Sequence, residues 1–305
     1  MKVLNACRFF AGAAFLVVVG NDAVRTKRNK QMKYGVTFAL FLSAALCAHA
    51  ERPPMHGAHR RVAEMRQQQA KEQAKANEEA KRKIAHYKTD EGVCGTRAWK
   101  EYTANPTAKG ETTLLVVLGG RDSVNRGGGQ VPSIPPAIEK ALSYARSQTK
   151  VGKVVVLVPE MTVERMGGGG RRGFENPSAD GLAKLVRSRA EAHGVKSGRI
   201  FATGFSMGGG LLLSLLNDDP TLFSRALVVG ASGKTNAVAD VKAEVLSYHG
   251  EDDDLIPVAR VKAYAEALCA KCPKAMRIEV LPKTGHAESE KAAYAKQDAW
   301  KWLLR

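Results

Sequence analysis

Cysteine is scarce in this chain, 5 of 305 residues, which excludes the disulfide-dense scaffolds of small secreted domains. A chain of this length can bury a sizeable core without such staples, in one large domain or two ordinary ones. Long hydrophobic runs are missing as well. The two apolar stretches, Phe9–Val19 and Val36–Ala48, are both shorter than the ~18–20 residues that a membrane-crossing helix needs. The glycine-rich segment Met166–Gly173 (MGGGGRRG) has no G-K-[ST] and no dinucleotide-fingerprint spacing, so it is not a phosphate cradle. Cys269 and Cys272 form a lone C-x-x-C with only Cys94 beyond residue 50 to join them, one ligand short of a structural zinc site. The pair closes a helix, whereas a redox thiol sits at a helix start. One disulfide with an odd cysteine left over is expected, its pairing open; no metal site and no cofactor are expected.

Negative charge is also in short supply. There are 30 Asp and Glu against 47 Lys and Arg, a balance of +17. Such an excess points to nucleic acid or membrane only if it lies on the folded part. Residues 1–50 carry 7 basic and 1 acidic residues, residues 51–92 carry 10 and 7, and residues 93–305 carry 30 and 22. More than half of the excess therefore belongs to the N-terminal third. The remaining +8 accompanies no nucleic-acid motif, so no nucleic-acid partner is expected. At most it favours loose association with anionic envelope surfaces.

What is present in residues 1–50 reads as a targeting segment. Five bases from Arg25 to Lys33 precede the short apolar run, which ends in Ala48-His49-Ala50, the small-x-small pattern of a secretory signal peptide. Met32 is the expected working start and cleavage is expected after Ala50. The localisation that follows is secreted or cell-envelope; the alternative is a membrane anchor left uncleaved. Residues 51–92 read as a charged helical linker. From Arg61 to Lys88 strong helix formers dominate without Gly or Pro, and Val62, Met65, Ile84 and Tyr87 are too sparse for a continuous core-facing stripe.

Residues 93–305 read as a catalytic domain. Thr113–Leu118, Val154–Val158, Arg199–Ala202, Ala226–Val229, Val245–Tyr248 and Ile278–Leu281 are apolar runs, as strands buried on both faces require. Between them lie helical patterns at Pro136–Gln148, Ser178–His193, Leu211–Leu216 and Val261–Ala270, with Ala292–Leu304 closing the chain. Such alternation predicts an α/β fold with a mostly parallel central sheet covered by helices on both faces. Ligands in such folds sit beyond the C-terminal strand ends.

Chemistry-bearing residues collect at those ends. The third strand runs into Gly204-Phe205-Ser206-Met207-Gly208 before a leucine-rich helix, a G-x-S-x-G in the strand–turn–helix context that exposes a nucleophilic serine. A serine needs a base, and the base an orienting carboxylate. Only His249 and His286 follow Ser206. The fifth strand ends in His249-Gly250-Glu251-Asp252-Asp253-Asp254, and any acid of that group leaves His286 as the base. These three motifs, GFSMGG, HGEDDDLIP and TGH at 284–286, resemble the α/β-hydrolase superfamily over residues 112 to 304. The likeness is to its compact esterases, the dienelactone hydrolase, phospholipase/carboxylesterase and polyhydroxybutyrate-depolymerase-like groups.

The resemblance implies a serine esterase without a large cap, working through an acyl-enzyme with a Ser206–His286–Asp253 triad. Asp253 is selected by the superfamily's H-G-x-x-D-x-x-[VI]-P pattern, with Asp252 and Asp254 left open. It implies a structural role for His249. It also implies an oxyanion hole from backbone N–H groups: that of Met207, and one after the first strand at Gly120 or Arg121, where Gly119 replaces the usual His. The expected partner is a small-molecule or polymeric ester. The triad would equally serve a thioesterase or peptidase, and a non-catalytic binding module of the same fold is the alternative from another class. Arg121, Arg126, Arg165, Arg171 and Arg172 suggest a basic mouth, which Asp122, Glu160, Glu164 and Glu175 nearly cancel.

Overall fold

The computed structural model describes residues 5–9, 14–18, 56–125, 132–148, 151–165, 175–273 and 275–305. It divides into two units, Met1–Met65 and Arg66–Arg305. In the first unit the leading apolar run contributes to an antiparallel hairpin of β1 (Asn5–Phe9) and β2 (Ala14–Val18). Met32, the run Val36–Ala48 and the expected cleavage point after Ala50 lie outside the described residues. Helix α1 (His56–Ile84) reaches from one unit into the next. Among the described residues no helix is long and apolar enough to cross a membrane.

The second unit is built on an eight-stranded sheet in the order β12-β11-β10-β9-β5-β6-β4-β3. The strands β5 (Thr113–Leu118), β6 (Val154–Pro159), β9 (Ile200–Phe205), β10 (Arg225–Val229), β11 (Glu244–Gly250) and β12 (Met276–Leu281) are mutually parallel. At one edge β4 (Arg97–Ala104) and β3 (Lys88–Cys94) are added antiparallel. The sheet thus begins at Lys88, inside the segment expected to be linker. The pattern hid both strands: β3 is polar and largely exposed, while β4 carries charged Arg97 and Glu101 among its buried positions. A separate antiparallel pair, β7 (Val163–Arg165) and β8 (Glu175–Pro177), flanks residues 166–174. That glycine-rich stretch and Gly127–Gly129 lie outside the described residues.

Period-two alternation sorts the strand side chains between two cores. Leu114, Val116 and Leu118 face α3 (Leu182–Ala192), α4 (Met207–Asp218) and α5 (Val258–Lys271), through Leu185, Leu212 and Val261 among others. Leu115 and Val117 face α2 (Pro136–Ser147), α6 (His286–Tyr294) and α7 (Gln297–Leu303), through Leu142, Tyr294 and Trp300. Each fully buried Leu or Val contributes ~1.5–3 kcal/mol of transfer free energy, so the continuous apolar strands anchor the fold. The closing helix expected over Ala292–Leu304 is instead two helices. The first of them starts at His286.

From β5 the chain passes to β6 on one side, then returns to β9 on the other. The loops leaving β5 and β9 therefore diverge, and a crevice opens at their C-terminal ends. Residues Gly119–Arg121 and Ser206 follow those two strands.

Candidate active site

Ser206 sits at the turn between β9 and α4 with φ 50° and ψ −116°, a region that non-glycine residues occupy at a cost of ~1–3 kcal/mol. The neighbours hold it there. Its N–H donates to Val229 O of β10 (2.9 Å), and its carbonyl accepts from Gly210 N in the first turn of α4 (2.9 Å). The flanking glycines follow from contact geometry. A Cβ on Gly204 would lie 2.6 Å from Gly208 O, one on Gly209 would lie 2.6 Å from Ala231 Cβ, and one on Gly208 would collide with the carbonyls of Leu118 and Gly119. Side chains at any of the three would push the strand, helix and β5 loop apart.

His286 opens α6, and Ser289 Oγ donates back to its carbonyl (2.7 Å). In the neutral tautomer that fits its neighbours, Nδ1–H donates to Asp253 Oδ2 at 2.7 Å and Nε2 accepts from Ser206 Oγ at 2.8 Å. The ring also lies against Phe205, centroids 5.2 Å apart. Asp253 is buried, while Asp252 and Asp254 are exposed. Its Oδ1 accepts N–H groups of Leu255 (3.0 Å) and Ile256 (2.8 Å), so the loop turns around the carboxylate. Of the three neighbouring acids, Asp253 is the one brought to His286.

His249, left as structural by its motif, is fully buried directly behind that carboxylate. Its Nε2 lies 2.6 Å from Ile256 O and 3.2 Å from Asp253 Oδ2. The Nε2–H therefore donates into the Asp253 turn and fixes the acid from the far side.

The β5 loop packs against the serine turn. A Cβ on Gly120 would fall 2.9 Å from the Phe205 ring. Arg121–Ser123 is a short 3-10 turn closed by Ser123 N–H to Gly120 O (3.0 Å). Because a peptide unit is planar and trans, committing Gly120 O to the turn points the Arg121 N–H out of it. Met207 is the first residue of α4, where backbone N–H groups lack helical acceptors. The loop also accounts for Gly119. A Cβ there would collide with Ser123 and approach Pro135 Cγ to 2.9 Å, so no histidine fits this loop.

One turn beyond His286 on α6, Glu290 has its carboxyl pushed up to about 7 by burial, then by the negative charge of Asp122, with Lys291 opposing. Tyr294, a further turn along, is raised by burial and by the Glu290 charge, against the hydrogen bond to Thr203. No cluster of His, Cys, Asp and Glu that could hold a metal ion occurs among the described residues. The expected disulfide is not formed: Cys94, Cys269 and Cys272 are free thiols. The sulfurs turn to different acceptors, Cys269 to Met276 O at 3.6 Å and Cys272 to Asp240 Oδ1 at 3.1 Å.

The dienelactone hydrolase family model matches residues 169–305. No curated protein sequence matches the chain. Solved structures share its architecture. A thermostable esterase has 20% identity and a TM-score of 0.56 over 72% of this chain and 63% of its own; the chain thus spans under two thirds of that esterase. A protein from Klebsiella pneumoniae subsp. pneumoniae provisionally assigned as a dienelactone hydrolase has 21% identity and a TM-score of 0.50 over 70% and 93%. The feruloyl esterase module of Clostridium thermocellum, as an S954A mutant complexed with sinapinate, has 15% identity and a TM-score of 0.50 over 72% and 87%. The fold is that of the α/β hydrolases.

Proposed function

We propose that the chain is a serine hydrolase that cleaves carboxylic esters through an acyl-enzyme. The observation that carries this reading is the hydrogen-bonded series Ser206–His286–Asp253 at the sheet's crevice. The family match and the esterases sharing the fold support it.

Ser206 Oγ attacks the ester carbonyl carbon as its proton passes to His286 Nε2. Asp253 holds the Nδ1–H tautomer and stabilises the imidazolium. The tetrahedral oxyanion takes hydrogen bonds from the N–H groups of Met207 and of Arg121, or of Gly120, aided by the N-terminal end of α4. His286 then returns the proton to the departing alcohol as its C–O bond breaks. Water repeats the sequence, releasing the carboxylic acid and restoring Ser206. Nucleophile, base and acid are all supplied by side chains, so the reaction calls for no cofactor. Export by the segment 1–50 and action in the envelope or outside the cell complete the proposal. The residual positive charge favours anionic surfaces.

The test is labelling by a fluorophosphonate probe with peptide mapping, then turnover of acyl esters of graded chain length, hydroxycinnamoyl and polymeric esters included. A stoichiometric adduct on Ser206 and ester turnover are expected. Absence of the adduct from folded protein overturns the reading in favour of a binding module, and turnover of thioesters or peptides but no oxygen ester reassigns the substrate.

A further inference from the structure

Helix α1 is exposed along most of its length, yet Gln73, Asn77, Ala80 and Ile84 form one shielded stripe, with Asn77 and Ile84 fully buried. The spacing i, i+4, i+7, i+11 is that of a docking face, but its residues are too polar to register as one. Asn77 is the unusual member. Asparagine is a poor choice for a helix interior, and the oxygen and nitrogen of a buried amide each need a hydrogen-bond partner. Here Nδ2 donates to Pro132 O (2.9 Å), while Oδ1 accepts from Ile134 N (3.1 Å) and Gln73 Nε2 (3.1 Å). The side chain thus pairs with the 132–134 backbone as a neighbouring strand would.

The opposite edge of that same backbone holds the β5 loop. Ser133 N–H donates to Asp122 O (2.7 Å), and its hydroxyl bonds Ser123 Oγ (2.9 Å). Asp122 and Ser123 belong to the 3-10 turn whose closure on Gly120 O directs the Arg121 N–H. Two short hydrogen-bonded steps therefore link Asn77 to the donor that would meet the oxyanion.

We propose that Asn77 is a positioning residue for the oxyanion loop, so that α1 from Arg66 onward is part of the catalytic unit. This rests on the hydrolase reading above. Oxyanion donors act only when pre-aimed at the transition state, and a displacement of ~1 Å by a remote change costs up to ~100-fold in rate. Loss of the Asn77 clamp should therefore fall on kcat and leave KM nearly unchanged.

The experiment uses the full chain, first confirmed to be labelled at Ser206; an unlabelled wild type removes the hydrolase reading and this inference together. Asn77→Ala is compared with Glu78→Gln, which removes only an exposed ion pair with Lys81 on the same helix. For each we would measure kcat, KM, Tm and the Ki of a trifluoromethyl ketone, which adds to Ser206 and places an oxyanion in the hole. With labelling intact, Asn77→Ala should lower kcat by about 10- to 100-fold and raise Ki by the same factor, with KM within twofold and Glu78→Gln unchanged. Folded Asn77→Ala with kcat and Ki within twofold of wild type overturns the proposal. If Asn77→Ala does not fold, Ser133→Ala decides, since it cuts only the hydroxyl link to Ser123. A parallel fall in kcat and rise in Ki of severalfold supports the proposal, and no change in either refutes it.

Discussion

Two buried carboxylates of the same sheet unit each hold a histidine at 2.8 Å or less, with β6, β5, β9 and β10 between β4, which carries one, and β11, which leads into the other. In one, His193 Nε2 lies 2.8 Å from Glu101 Oε2; in the other, His286 Nδ1 lies 2.7 Å from Asp253 Oδ2. Both acids are buried, with side-chain exposure of 2% for Glu101 and 0% for Asp253. What differs is the rest of each environment. Glu101 is neutralised by Arg189, which donates to both its oxygens at 2.8 Å and stacks over Trp99. That arrangement spends the acid on closing the gap between β4 and α3. Among the described residues no guanidinium meets Asp253. Two peptide N–H groups and His249 hold it, and its charge remains for His286, whose second nitrogen faces Ser206. A buried acid beside a histidine is therefore a brace in one case and, on the proposed mechanism, the holder of a general base in the other, according to what compensates the acid and what lies beyond the ring.

The largest effect that separates the two sites is in turnover. Ser206→Ala should lower ester turnover by more than about a thousandfold, and Asp253→Asn by about a thousandfold or more by permitting the wrong tautomer. His193→Ala should stay within about threefold, on the premise that an isolated brace carries no proton in the reaction. Steady-state kinetics on one ester settles all three. Equal losses at His193 and Asp253 would erase the distinction.

Stability should respond in the opposite sense. Glu101→Ala leaves the largely buried Arg189 without its carboxylate, a loss of about 3 kcal/mol when a buried pair is broken on one side. Tm should fall clearly while the folded fraction keeps its kcat. Thermal melts paired with active-site titration would show this, and an unchanged Tm would mean that Arg189 finds water or Asp90 instead.

A smaller effect concerns Glu290, whose carboxyl stands near 7 in the fold against an ordinary value of 4.5. Between those values the unfolded chain has released the proton and the folded chain still holds it, so stability falls as pH rises. Below pH 4.5 both states are protonated and the cost vanishes. Glu290→Gln should therefore raise Tm by about 2–5 °C at pH 8.5 and leave it unchanged at pH 4. A gain of the same size at both values would place the cause elsewhere.

Legibility followed the range of the interaction. Six parallel strands were readable because burial on both faces demands uninterrupted apolar runs such as Thr113–Leu118. The serine turn was readable because its crowding acts between neighbours, Gly204 against Gly208. The edge strands β3 and β4 were not, since Glu101 and Arg97 on β4 are buried against partners 63 to 92 residues away in the chain. Nor did the C-x-x-C reveal that its two sulfurs face different acceptors.

By itself, then, the sequence determined the α/β layering and the strained serine turn, because each depends on local sterics or on apolar periodicity. Only the tertiary structure decided between Asp252, Asp253 and Asp254, gave His249 its place behind the acid, and turned α1 from a spacer into a helix docked through Asn77. Those outcomes rest on which polar group is desolvated against which distant backbone. That choice is made when elements pack, because a buried polar atom without its partner is too costly to keep.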